Sequence, residues 1–273
     1  MKKIALATLL LVGTTAHSHS SSYDDLNAGL SYFDLEQYDN AITWLDKALA
    51  SGDLIPDHTR IAYVDRGLAY WTKGDIRQAI ADFTSAIAAN PDHTLAYRNR
   101  ILAYLATNNL EKALADYDKL RALRPNDFDI AMNDGWLNWQ FDHVQNSADA
   151  FRTFSEVNAF SWAWLQLANI RLDKPMTGYK EDIEARKWPG HIPRFYLGHL
   201  SEADVLKAAE DTGNPGPVCE AHIMTGMWRV VHNDRAGAVP LLKIATEKCK
   251  KDSPNGRIAR SELERIESGE KTK

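Results

Sequence analysis

His191 and His199, eight residues apart and followed by the carboxylate Asp204, are the side chains here that could gather around a metal ion. Zinc sites join local ligand pairs through short, fixed spacings of about two to five residues, and eight carries no such signature. Asp127, Asp129 and Asp134, with Gly135 behind them, outline the start of a calcium loop, but the ligand spacing is wrong for one. No G-x-S-x-G elbow, H-E-x-x-H pair or phosphate-cradling glycine loop occurs. The expectation is therefore a protein that is not an enzyme and that holds neither a metal nor an organic cofactor. Two groups of residues keep some chemical character. Arg66, Arg98 and Arg100 could meet an anion, although ion pairs with Asp65, Asp82 or Asp116 are the favoured reading. Cys219 and Cys249 could form one disulfide or remain two buried thiols.

These residues are positioned by a stretch that repeats itself. Between Tyr63 and Pro125, Tyr70 returns as Tyr104, Ala79 as Ala113, Asp82-Phe83 as Asp116-Tyr117 and Asn90-Pro91 as Arg124-Pro125, each after 34 residues. A fixed period of this length means stacked supersecondary units. Within one copy, Gly67 and Tyr70 fall on a first helix and Ala79, Phe83 and Ala86 on a second. Gly74-Asp75 forms the turn between them, and Asn90-Pro91 the stop. An earlier copy holds Gly29, Tyr32, Ala41, Leu45 and Ala48, with four residues inserted near Leu54–Asp57. A later one holds Gly135, Phe151 and Phe154, its alanine slipped to Ala148. A last unit repeats the spacing with Gly226, Ala238, Leu242 and Ala245. In that unit Cys219 and Cys249 fall at the same end of an antiparallel hairpin. A disulfide there would close a loop of about 30 residues, worth about 3–4 kcal/mol on the chain-entropy model.

The period and these positions resemble the tetratricopeptide repeat (TPR), which implies an all-α solenoid of helix hairpins with additional C-terminal helices. The expected organisation is four repeats over 23–157, an irregular helical segment with an aromatic-rich helix over 158–218, a TPR-like unit with a final helix over 219–266, and a polar tail over 267–273. Trp188-Pro189, Phe195-Tyr196-Leu197-Gly198, Cys219-Glu220-Ala221-His222 and Gly226 further resemble exported bacterial TPR proteins, distantly including the NlpI-type periplasmic lipoproteins. That resemblance implies a scaffold or adaptor with protein partners, such as a periplasmic protease or a peptidoglycan hydrolase, in envelope protein turnover or cell-wall assembly.

In TPR proteins ligands usually lie on the concave face, on first-helix positions that can be read off here as three rows. They are Leu26, Val64, Arg98, Met132; Leu30, Leu68, Leu102, Trp136; and Phe33, Trp71, Leu105, Trp139. All but Arg98 are apolar, and contiguous apolar surface of this kind marks an interaction site. Its expected occupant is at least in part the chain itself, through the helix over 159–172 or the C-terminal helix. A partner peptide and a second copy in a homodimer are the other occupants. The rows lack the Lys and Asn clamp that grips a terminal carboxylate.

The chain opens with Lys2-Lys3, an apolar run from Ile4 to Val12 and a small, polar segment through Ala16, the grammar of a secretory signal peptide over 1–18. That predicts a periplasmic or secreted protein, without a lipidated cysteine and without a stable membrane anchor. A formal net charge of -5 gives no reason to expect nucleic acid or an anionic membrane as partner.

Overall fold

A computed structural model of the chain describes residues 21–178, 187–251 and 253–269, and these hold fourteen α-helices and no strand. The leader expected over 1–18, nearly all of the charged helix expected over 180–187 and the end of the tail lie outside them. The chain divides into two compact units, the first ending at Thr107 and the second beginning at Asn108. The third repeat therefore contributes its first helix to one unit and its second helix to the other.

The first unit contains α1 (Ser22–Asp34), α2 (Tyr38–Ala50), α3 (Pro56–Thr72), α4 (Ile76–Ala89) and α5 (Thr94–Ala106). Two hairpins, α1–α2 and α3–α4, are held at close range by the glycine of each first helix. A Cβ at Gly67 would lie 2.7 Å from the Phe83 ring, and one at Gly29 would lie 2.6 Å from the Leu45 side chain. The tight turn of each hairpin places one residue in the left-handed region, Glu36 at φ 58° and Gly74 at φ 85°. The four inserted residues form no separate loop. They lengthen α3, which has 17 residues against 13 in α5, by about one turn at its proline-started N-terminus. Arg66 is gripped by both oxygens of Asp82 at 2.8 and 2.6 Å and also pairs with Asp46, so it stitches α2, α3 and α4 together.

The second unit contains α6 (Leu110–Leu123), α7 (Phe128–Gln140), α8 (Val144–Arg152), α9 (Ala159–Arg171), α10 (His191–Tyr196), α11 (Glu202–Glu210), α12 (Pro215–Val231), α13 (Arg235–Lys248) and α14 (Pro254–Glu267). The fourth repeat keeps register better than its sequence suggests. Ser147, not Ala148, takes the small position, and its buried hydroxyl donates to the Gly135 carbonyl at 2.9 Å. Its second helix stops at Arg152, and Phe154 stands where Ala86 closes the corresponding seam. That ring instead packs edge-on against Phe128, 5.4 Å away.

Residues 161–169 of α9 are all buried, with Ser161, Gln166 and Asn169 the polar members among apolar ones, as expected of a helix covered all round. Around them the core gathers Phe151, Trp162, Trp164, Tyr196, Met224, Met227 and Leu242. α11 starts from the capping box expected at Ser201, whose hydroxyl accepts from Asp204 N while the Asp204 carboxylate accepts from Ser201 N. Cys219 and Cys249 are joined, their Cα atoms 4.9 Å apart, tying α12 to the end of α13.

Candidate protein-binding face

Each expected row has a different fate. In the first unit, Leu26 and Val64 are buried, the former against Leu45, Ala48 and Ala62, the latter against Ala86 and Ala96. They are packing residues, and the exposed Arg98 stands in for them on α5. The other two rows stay accessible. Leu30, Phe33, Leu68, Trp71 and Leu105 are half-buried, and Leu102 keeps 53% of its surface exposed. Because α1 packs on α3 and α3 on α5, these six side chains share one face of the first helices. Tyr23 and Leu95 extend it towards the helix starts at 51% and 48% exposure.

That face also carries charge. Asp65 lies three residues before Leu68, and Asp34 four after Leu30, which places both on it. Burial pushes the Asp65 carboxyl up to about 6; the charge of Asp34 adds to this and Arg60 acts the other way. Arg60 itself is shared with Asp57 at 3.7 Å and with His93 Nε2 at 2.9 Å.

In the second unit the same rows are closed by the chain itself. Trp139 is 1% exposed and meets Trp164 of α9 edge-on at 5.4 Å. The Arg171 guanidinium lies 4.9 Å over its ring, and its Nε1 donates to Glu262 of α14 at 3.3 Å. Met132 is buried with the Ser161 hydroxyl 3.0 Å from its sulfur, and Trp136 is half-buried. What remains beside Trp139 is a cavity of about 170 Å³ lined by Ile170, Arg171, Val230 and Glu262. Ligand pockets are usually about 300 Å³ or larger, so this space suits a few water molecules and not a peptide. Of the two helices expected as occupants, α14 packs back on α7, while α9 stacks on α8 as the next helix of the array and reaches Trp139 through Trp164. Trp139 and Met132 thus belong to the core, and, the half-buried Trp136 apart, the accessible part of the predicted face lies in the first unit.

The other candidates have structural partners. Arg100 donates to the Thr84 hydroxyl at 3.0 Å and lies over the rings of Tyr97 and Tyr104. Asp127 caps α7 through Ile130 N at 3.1 Å. Asp134 is buried against Arg121 at 2.7 Å and accepts from Asn138 at 2.8 Å, yet burial still lifts its carboxyl to about 6. His191 stacks on Trp188, and among the described residues no group of three His, Cys, Asp or Glu could hold a metal ion. Among them, too, no helix is long and apolar enough to cross a membrane.

Two tetratricopeptide-repeat family models match residues 23–92 and 64–128. Residues 23–128 thus match the tetratricopeptide repeat. A TPR protein from Parabacteroides merdae, 18% identical, aligns over 90% of this chain and 99% of its own with a TM-score of 0.51, a likeness of fold. The first TPR of Spaghetti, solved with the HSP90 peptide SRMEEVD, is 26% identical over 45% of this chain and 96% of its own, with a TM-score of 0.39. MamA from Desulfovibrio magneticus RS-1 is 16% identical over 56% and 85%, with a TM-score of 0.44. The TPR fold itself is an interaction scaffold, and the half-open row on α1, α3 and α5 lies within the matched residues.

Proposed function

We propose that this protein is an exported TPR scaffold that binds a protein partner on the face formed by α1, α3 and α5. One observation carries the reading. The first unit leaves Leu30, Leu68 and Leu102, with Phe33, Trp71 and Leu105, only half covered or exposed, while in the second unit α9 and α14 close over Met132 and Trp139 and only Trp136 stays half-buried. A half-covered apolar row on a rigid helical array is the setting in which a helix or extended segment docks. Export rests on the basic head, apolar run and small residues at the start of the chain. A role in envelope protein turnover or cell-wall assembly, with a protease or peptidoglycan hydrolase as partner, rests on the resemblance to exported TPR proteins.

The face is tested by affinity capture from a periplasmic extract with the wild-type chain and with Trp71→Ala combined with Leu102→Glu. Loss of a captured protein from the variant, with far-UV circular dichroism unchanged, supports the reading. Undiminished capture, or recovery of the chain alone, contradicts it. Intact mass of the purified envelope form tests export: a mass lacking the first 16 to 18 residues is expected, and retention of Met1 to Ala16 would sink it.

A further inference from the structure

The accessible face of the first unit is apolar with two carboxylates set into it, and their surroundings say what kind of segment fits. Most acids of this unit near a base are neutralised within it. Asp25 pairs with Lys47, Asp39 with Lys73, Asp46 and Asp82 with Arg66, and Asp57 with Arg60. Asp34 and Asp65 differ. Among the described residues neither takes part in an ion pair or accepts a side-chain hydrogen bond. Asp65 on α3 is half-buried and Asp34 at the end of the neighbouring α1 is exposed; the charge of Asp34 acts on Asp65, and Arg60 offsets it in part. The neighbouring cations are committed: Arg60 to Asp57 and His93, while Arg98 on α5 has an interaction of its own. A desolvated carboxylate beside a like charge is held at a cost that an arriving cation relieves. An anionic segment, or a chain end offering a carboxylate, meets repulsion at the same place.

We infer that the occupant of this face is an apolar segment of a partner protein bearing a lysine or arginine, its cationic head seated at Asp34 and Asp65 and its apolar neighbours covering Leu68, Trp71 and Leu102. The inference rests on the reading of this face as a docking surface and adds the chemistry of what docks.

A random-peptide display library panned against the purified chain tests it, with Asp34→Asn/Asp65→Asn and Trp71→Ala/Leu102→Glu as parallel targets. The expected binders carry a basic residue among apolar ones and are lost on the Trp71 and Leu102 variant. A synthetic peptide of the selected sequence should bind the Asp34 and Asp65 variant about tenfold or more weakly, whereas the same peptide with norleucine for its basic residue should bind both chains alike. Selected peptides that need Trp71 and Leu102 but lack basic enrichment, or that bind the asparagine variant as tightly, overturn the inference and leave the docking face standing. Binders indifferent to Trp71 and Leu102, or none, overturn the docking face as well. Asparagine is close in shape to aspartate and removes only the charge, so retained circular dichroism separates lost binding from lost fold.

Discussion

Glycine 67 shows how much of this architecture rests on single atoms. Alanine is the better helix former by about 1 kcal/mol, yet its methyl would sit 2.7 Å from a Phe83 ring that is itself buried. Overpacking of that kind costs about 1–3 kcal/mol, so Gly67→Ala is expected to lower stability by about 1 kcal/mol, read as the urea midpoint. Glu36 is the reverse case. A side chain in the left-handed region at φ 58° is strained, with the turn's own backbone bonds holding it there. Glu36→Gly should stabilise by about 0.5–1 kcal/mol, and a loss instead would show that the turn is not limiting.

Asp65 gives a pH signature. Its carboxyl titrates at about 6 in the folded chain against 3.8 when exposed, so the folded state binds more protons in between. Its contribution to stability is full below about pH 4 and lost as pH rises through 6. Asp65→Asn should therefore raise the urea midpoint at neutral pH and flatten its dependence between about pH 4 and 7. A slope unchanged by the substitution would contradict that assignment.

At the scale of elements, the repeats were legible because their spacing is enforced by contact: Gly67 needs Phe83, and Gly226 needs Leu242, 2.9 Å from a Cβ placed on it. The fate of the groove was less legible. Trp71 and Trp139 hold the same repeat position, and nothing at that position says which is open. The signal lay elsewhere, in α9, whose run of Trp162, Trp164, Leu165 and Leu167 has no polar face and must be covered all round. Asp65, expected among the ion-pair partners of the arginines, takes part in none among the described residues, Arg66 pairing with Asp46 and Asp82 instead, because position alone does not show whether an acid has a partner.

The difference between the two tryptophans is measurable. Trp139→Ala should cost about 3–5 kcal/mol as a core truncation that also removes a donor from Glu262 and the ring beneath Arg171. Trp71→Ala, at a half-covered site, should cost clearly less. Similar losses for both would mean that the first-unit face is also closed. The Cys219–Cys249 link closes a separation of 30 residues between α12 and the end of α13. Its removal by Cys219→Ser with Cys249→Ser should destabilise by about 2–5 kcal/mol in urea unfolding under non-reducing conditions, and an unchanged midpoint would deny the link a stabilising role.

Taken whole, the chain uses one repeat grammar for two ends. In the second unit the tryptophans of the repeat face are spent on a core with α9, α12 and α14. In the first unit the same face stays half open, and it carries Asp34 and Asp65, which among the described residues take part in no ion pair. The packing residues Tyr70, Ala79 and Phe83 reveal the repeat, while the proposed use rests on the less covered side of the same helices, at Leu68, Trp71 and Leu102. The most direct measurement is site-specific photo-cross-linking in the cell envelope. One photoreactive residue replaces Leu102 on the face, and another replaces Val157, 82% exposed in the second unit. A discrete adduct with a partner protein from position 102 and none from position 157 is the expected result. No adduct from position 102, or the same adduct from both, would contradict the assignment of the binding face.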